Sequence, residues 1–206
     1  VTTTQRKAKI EKVLSHRQTD LTVVVEDITD PHNVSAILRT CDAVGVFAVH
    51  LVYHDQEFPE LSSKSSSSAL KWVKSYHHSS IQQCYDFLRS EGFIIGATAL
   101  HSSSCNLYDL DLRKKTAIVV GNEHSGVSSE AAQQADFTFR VPMMGMVQSL
   151  NVSVATAVTI YEALRQRMSA GDYTQTKMSP QIFKKVREEW LENAPFSSSP
   201  ERKMKS

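Results

Sequence analysis

The chain has 206 residues, is 41% hydrophobic and 22% charged, and carries a formal net charge of +1. That composition excludes disorder throughout and supplies one sizeable core, while roughly 100 to 200 residues per domain leaves little room for a second. No run of about 18 apolar residues and no apolar stretch behind the basic N-terminus occur, so neither a membrane span nor a signal peptide is expected. Three scattered cysteines (Cys41, Cys84, Cys105) without a C-x-x-C pair predict reduced thiols, a cytoplasmic protein and no metal site.

Ile10, Val13 and Leu14 recur at helical spacing and predict a basic amphipathic helix within residues 1–20. The run 21–28 (LTVVVEDI) reads as a strand and 30–33 (DPHN) as a turn. A helix over 34–44 and a second strand over 46–53 follow, which together make a βαβ unit. Residues 54–71 are a polar excursion dense in serine at 62–68, expected as a mobile loop. Beyond it come a helix at 81–92, a strand at 93–100, a long connection at 101–115 and a strand at 116–121. A short helix at 128–135, a strand at 137–141, a long helix at 151–168 and a last helix at 180–192 complete the pattern. The tail from 194 to 206 is polar and expected to be disordered. Strands alternating with helices predict an α/β fold with a parallel sheet, with a central domain at 21–170 and a helical extension at 171–193. No G-x-G-x-x-G follows a strand and no phosphate-binding P-loop motif occurs, which excludes the common nucleotide-binding readings.

Three segments put polar residues where strands end, the place where open parallel sheets hold ligands. In EDITDPHNVSAILR, Asn33 and Arg39 lie six residues apart, close to two helical turns, so they are expected to share a face; Asn33 alone also reads as a helix cap. In AIVVGNEHSGVSSE a buried strand runs into a glycine-flanked loop carrying Gly121 and Glu123, whose backbone N–H groups and carboxylate suit polar ligand edges. In RVPMMGMVQSLNVSVATAV, apolar Met143, Met144 and Met146 precede Ser149, Leu150 and Asn151, which open a helix and read either as caps or as site residues.

In order and spacing, NVSAILRTCDAVGV, IVVGNEHSGVS and RVPMMGMVQSLNVSVA resemble the three motifs of the SpoU/TrmH family of RNA ribose 2′-O-methyltransferases, within the SPOUT superfamily. The likeness extends over residues 5 to 193 and is greatest to the branch that methylates guanosine 18 of tRNA. It implies a SPOUT-type fold with a C-terminal deep trefoil knot, S-adenosylmethionine as cofactor, a homodimer and a tRNA substrate. Carried over by position, it implies a catalytic set of Arg39, Asn33, Glu123, Ser149 and Asn151, and a cofactor site at Thr98, Gly121, Val141 and Leu150 with apolar walls from Leu100 and Met146. The basic clusters at the two ends nominate Lys9, Arg17, Arg165 and Arg167 as RNA contacts, against the alternative that they are solvated helix faces. A wide stripe of Val152, Ala155, Val158, Ile160, Ala163 and Leu164 on the long helix predicts the dimer surface. A ribosomal-RNA or other tRNA methyltransferase, and a noncatalytic RNA-binding protein on the same fold, remain alternatives.

Overall fold

The structure, a computed structural model, describes residues 4–54, 58–59, 71–101 and 103–192. In chain order its elements are α1 (Thr4–Ser15), β1 (Gln18–Glu26), α2 (Pro31–Val44), β2 (Val46–Val52), β3 (Lys74–His78), α3 (Ile81–Ser90) and β4 (Ile94–Thr98). There follow β5 (Cys105–Asn106), a 3-10 turn (Leu107–Asp109), β6 (Thr116–Val120), α4 (Ser129–Gln134), β7 (Phe137–Arg140), α5 (Val152–Ser169) and α6 (Pro180–Leu191). The serine segment 62–68 and the tail 194–206 lie outside the described residues.

β1 is apolar at successive rather than alternate positions because both of its faces are covered, as parallel strands require. Leu21, Val23 and Val25 pack with Val49, Leu51, Ile118 and Val120 beneath α2 and α5. Val24 joins Val52, Ile95, Ala97, Ala117 and Val119 on the opposite face, beneath α3 and α4. All strand pairs are parallel, in the order β3-β2-β1-β6-β4-β7-β5. Two strands were not expected: β3 (KSYHH) lies at a sheet edge and is half-exposed, so it lacks an apolar signature, and β5 is only two residues long.

The terminal helices pack on each other. Ile10 and Leu14 of α1 meet Val186 and Trp190 of α6, and Arg187 Nε donates to Glu11 Oε1 at 2.6 Å. This layer corrects two expected RNA contacts. Arg17 is fully buried, ion-paired with Asp42, donating to Val46 O at 3.0 Å and lying 5.3 Å from the Trp190 ring centroid. Arg167 is also fully buried, paired with Asp20 and donating to Leu112 O at 2.9 Å, Lys114 O at 2.8 Å and Gln18 Oε1 at 3.0 Å. Both guanidiniums are turned to carbonyls and a carboxylate of their own chain, so neither faces an RNA phosphate. Lys9 is exposed, and Arg165 points outward, held by Glu162 at 2.8 Å.

The long helix departs from expectation in the same direction. Ile160 and Ala163 are buried, with Val152, Val158 and Leu164 packed against the same core, so this chain covers most of the predicted stripe itself. The apolar side chains α5 leaves outside are Val154, Tyr161 and Met168, one every seven residues. Its last turns are bound to the 101–115 connection: Gln166 Nε2 donates to Leu110 O at 2.9 Å and its Oε1 accepts from Leu112 N at 2.8 Å.

Candidate active site

The C-terminal ends of β1, β6, β4 and β7 are neighbours along one edge of the sheet, and all three polar segments emerge there. β1 leaves through Asp27, whose φ of 47° is unusual for a residue with a side chain. Asp27 holds His54, accepting from its backbone N at 3.1 Å and pairing with Nδ1 at 2.7 Å. α2 then starts with Asp30 as cap, accepting from His32 N at 2.9 Å, and Pro31 in the first turn. Asn33 is therefore not the cap. It sits one turn in and is buried, and its side chain is spent elsewhere.

Asn33 Nδ2 donates to Glu123 Oε1 at 2.7 Å, and Asn33 Oδ1 accepts from Asn151 Nδ2 at 3.1 Å. Asn151 Oδ1 in turn accepts from Ser153 N at 2.9 Å, capping α5. The direction of this chain is fixed at both ends: a carboxylate can only accept and a backbone N–H can only donate. Each amide between them therefore has one allowed orientation. Three segments 90 and 118 residues apart are tied into one polar line.

The loop carrying Glu123 is closed as tightly as its composition permits. Asn122 Nδ2 donates to Asp27 O at 2.9 Å, its Oδ1 accepts from His124 N at 2.9 Å, and its carbonyl accepts from Gly126 N at 2.9 Å. A Cβ on Gly121 would stand 2.1 Å from Gly126 O, inside van der Waals contact, so only glycine fits. Asn122 was absent from the sequence-derived set, although it joins the end of β1 to this loop. An Asn directly after a strand-ending glycine, where Asx turns form, was the available signal.

The remaining expected residues divide into placed and unplaced. Thr98, Gly121 and Val141 stand at the ends of β4, β6 and β7, side by side along the edge, and the Thr98 hydroxyl donates to Val119 O at 3.1 Å. Val141 and Leu150 are half-buried. Leu100 and Met146 are 66% and 99% exposed, so the structure packs neither into a wall. Ser149 is exposed. Arg39 is exposed while Asn33 is buried, which corrects the shared face: six residues at 100° each leave the two about 120° apart around the helix. Arg39 has no hydrogen bond or ion pair among the described residues. Tyr53, also absent from the set, anchors the entry to α2 by donating from its hydroxyl to Ile28 O at 2.7 Å; burial pushes its phenol up, with Asp27 and Glu123 adding to the shift.

The edge thus offers a rigid polar line, a row of strand-end positions with apolar neighbours, and a free cation on α2. Such a set suits an organic ligand with an apolar body and polar edges next to a reaction that develops negative charge. The SpoU rRNA Methylase family model matches residues 20–161. The chain is 46% identical over 189 residues to the tRNA (guanosine(18)-2′-O)-methyltransferase of Thermus thermophilus, covering 92% of this chain and 97% of that one. Among solved structures it resembles the A. aeolicus TrmH/SpoU tRNA modifying enzyme, with a TM-score of 0.86 and 38% identity over 91% of this chain and 95% of the other. It also resembles the SpoU methyltransferase AviRb from Streptomyces viridochromogenes in complex with AdoMet, with a TM-score of 0.66 and 28% identity over 75% of this chain and 62% of the other. A polar line joining the three segments, and a family match that spans all three of them, lead to one conclusion: the chain belongs to the SpoU methylase family.

Proposed function

We propose that this protein methylates the ribose 2′-hydroxyl of a guanosine in tRNA, guanosine 18 of the D-loop, with S-adenosylmethionine as donor. The observation that carries the reading is the Asn33–Glu123–Asn151 line, in a chain similar over nearly its whole length to a relative named for that reaction.

The residues present fit the cofactor. Thr98, Gly121 and Val141 line adjacent strand ends with Leu150 close in sequence, and Leu100 and Met146 are apolar side chains with room to close over a ligand. When bound, the cofactor supplies a methyl group already activated on a sulfonium. What remains for the protein is to hold the ribose hydroxyl in line and to steady its oxygen as the proton leaves. A guanidinium keeps its proton at ordinary pH, so Arg39 acts by facing the developing oxyanion rather than by accepting the proton. Asn33 and Asn151 fix the start of α2 against the start of α5, and Ser149, exposed two residues before Asn151, is read as the group that orients the ribose. The transfer as read uses no metal ion.

The same reading includes the deep trefoil knot, the homodimer and a cytoplasmic location. The bonds from Gln166 and Arg167 to Leu110, Leu112 and Lys114 tie the end of α5 to the 101–115 connection, a contact that supports the knotted reading. Val154, Tyr161 and Met168 offer a second copy a continuous apolar strip on α5. Among the described residues no helix is long and apolar enough to cross a membrane. Of the four terminal cations nominated as RNA contacts, Lys9 and Arg165 are the two that face solvent, where an RNA phosphate can reach them.

The test is incubation of the protein with methyl-labelled S-adenosylmethionine and total RNA, followed by mapping of the label. The expected product is 2′-O-methylguanosine at position 18 of tRNA. Label confined to ribosomal RNA would move the substrate, and RNA binding without label would remove the activity.

A further inference from the structure

The opposite face of the sheet holds a second cluster that the methyl transfer does not use. β2 turns His50 toward α3, on the face shared with Val24, its partner in register. Val52 pairs with His78, so the last residue of the edge strand β3 stands beside His50 on that face. α3 lays Cys84 over both. His50 Nδ1 and His78 Nε2 are 2.9 Å apart, and with Cys84 Sγ the three atoms lie within 4.8 Å of one another. His50 and Cys84 are buried, and His78, on the edge strand β3, is half-buried. Tyr76 and Phe87 pack beside His50, with ring centroids 5.0 and 5.5 Å from its own. Burial pushes the Cys84 thiol up and nearby Glu26 adds to that shift, so metal binding has to drive the proton off; Glu26 Oε1 has no hydrogen-bond partner among the described residues.

Two imidazole nitrogens and a sulfur from three elements form a donor set for zinc and similar borderline-soft ions. The geometry points to a zinc-class site at His50 Nδ1, His78 Nε2 and Cys84 Sγ, with water as fourth ligand. Zinc–nitrogen distances of 2.0–2.1 Å place two ligand nitrogens about 3.3 Å apart in a tetrahedron, so the rings separate by about 0.4 Å from their present contact. Each ring then turns a lone pair to the ion and keeps its proton on the other nitrogen. The thiol gives up its proton to solvent as the sulfur–metal bond forms, one proton per ion. The ion ties the edge strand β3, paired on one side only, to β2 and α3. The expectation of no metal site was drawn from cysteine spacing. It could not register ligands at 50, 78 and 84, which meet only through sheet register and a covering helix.

The test uses the full chain freed of metal by a chelator and titrated with Co2+, then with Zn2+. One equivalent of Co2+ is expected to give the thiolate-to-cobalt charge-transfer band and the intense visible bands of a tetrahedral site, and Zn2+ to abolish both by displacement. Cys84→Ser is expected to lose the charge-transfer band with its circular dichroism unchanged, and Cys105→Ser, at an exposed position, to keep it. Should Cys84→Ser fail to fold, His78→Gln at the half-exposed edge replaces it, with cobalt affinity expected to fall at least about tenfold. Absence of the band in the parent, its survival in Cys84→Ser, or unchanged affinity in His78→Gln overturns the proposal, leaving His50 and His78 as a buried hydrogen-bonded pair.

Discussion

The base of the sheet, where the terminal helices and the last turn of α5 gather, and its C-terminal edge use polar side chains in opposite ways. At the base, Arg17 and Arg167 point inward and carbonyls, carboxylates or an aromatic ring surround each guanidinium. At the edge, Asn33, Asn151 and Glu123 satisfy one another, while Arg39 and Ser149 stay open to solvent. A cation enclosed by its own chain is structural, since removing it leaves buried acceptors orphaned. An exposed cation with no hydrogen bond or ion pair among the described residues, as Arg39 is, is available to a substrate. Residue type says nothing about which is which; surroundings decide.

Replacing an enclosed and an exposed arginine should have opposite consequences for stability and turnover. Arg167→Met keeps length and apolar bulk but takes the guanidinium donor from the carbonyl of Leu112, leaves Asp20 with Lys177 alone and leaves Lys114 O with the Thr116 hydroxyl alone. Removing one partner of a buried pair costs about 3–5 kcal/mol. Urea denaturation is expected to show a loss of that size, with methyl transfer falling only as far as the folded fraction does. A variant of parental stability would mean that the enclosed arginine is as dispensable as a surface one. Arg39→Ala should do the reverse. Loss of one electrostatic donor to a developing oxyanion costs about a hundredfold or more in kcat, and an exposed substitution shifts stability by no more than about 0.5 kcal/mol. Single-turnover kinetics beside a melting curve separates the two, and near-parental turnover in Arg39→Ala would take the residue out of the chemistry.

What the sequence disclosed follows the same division. The buried strands at 21–28 and 116–121 and the long helix were legible because apolar runs and helical periodicity are local properties. β3 was not, because an edge strand need not be apolar. The resemblance placed Asn33, Glu123 and Asn151 at one site, and the structure then gave each its partner. Asn122 and Tyr53 were invisible because their roles are hydrogen bonds to the carbonyls of Asp27 and Ile28, and no spacing encodes those contacts. Arg17 and Arg167 were misread for a related reason. Basic residues near chain ends are counted as surface charge, yet whether a guanidinium is enclosed depends on chain brought in from far away in sequence, such as Gln18 and Asp20 against Arg167, 149 and 147 residues apart.

A smaller effect is expected at Glu26, which is buried on the α3 and α4 face. Its Oε2 accepts from Ser128 N at 2.9 Å, and burial raises its pKa above the ordinary carboxylate value in spite of that bond. A carboxyl raised in the folded state holds its proton where the unfolded chain, at about 4.3, has released it. Its contribution is fully present below that value and is lost as pH rises through the folded pKa. Glu26→Gln, which keeps an acceptor for Ser128 N, is therefore expected to gain on the parent as pH climbs above about 4.3. Melting temperatures of the two proteins across the acid range, with a chelator present, check this. A constant difference at every pH would show that Glu26 titrates normally.

The smallest change in stability, and the one that most directly tests the division between enclosed and available cations, belongs to Lys9 and Arg165. Lys9 is exposed on α1, and among the described residues Arg165 pairs with Glu162 on its own helix, one turn before it. Arg165 is exposed while Glu162 is buried, but Glu162 also accepts from Gln166 Nε2 at 2.9 Å, so it keeps a donor when Arg165 turns to a phosphate. Replacing both by Ala should leave the melting temperature unchanged. Each phosphate contact contributes about 0.7 to 0.9 to the slope of log affinity against log salt. The double variant should therefore flatten that slope for tRNA by up to about 1.8 if both cations reach the backbone. Cofactor binding should not move. Arg17→Ala, compared over the fraction that remains folded, should keep the parental slope, because Arg17 is turned to Asp42 and Trp190. If the slopes came out the other way round, burial would be no guide to which terminal cations touch RNA.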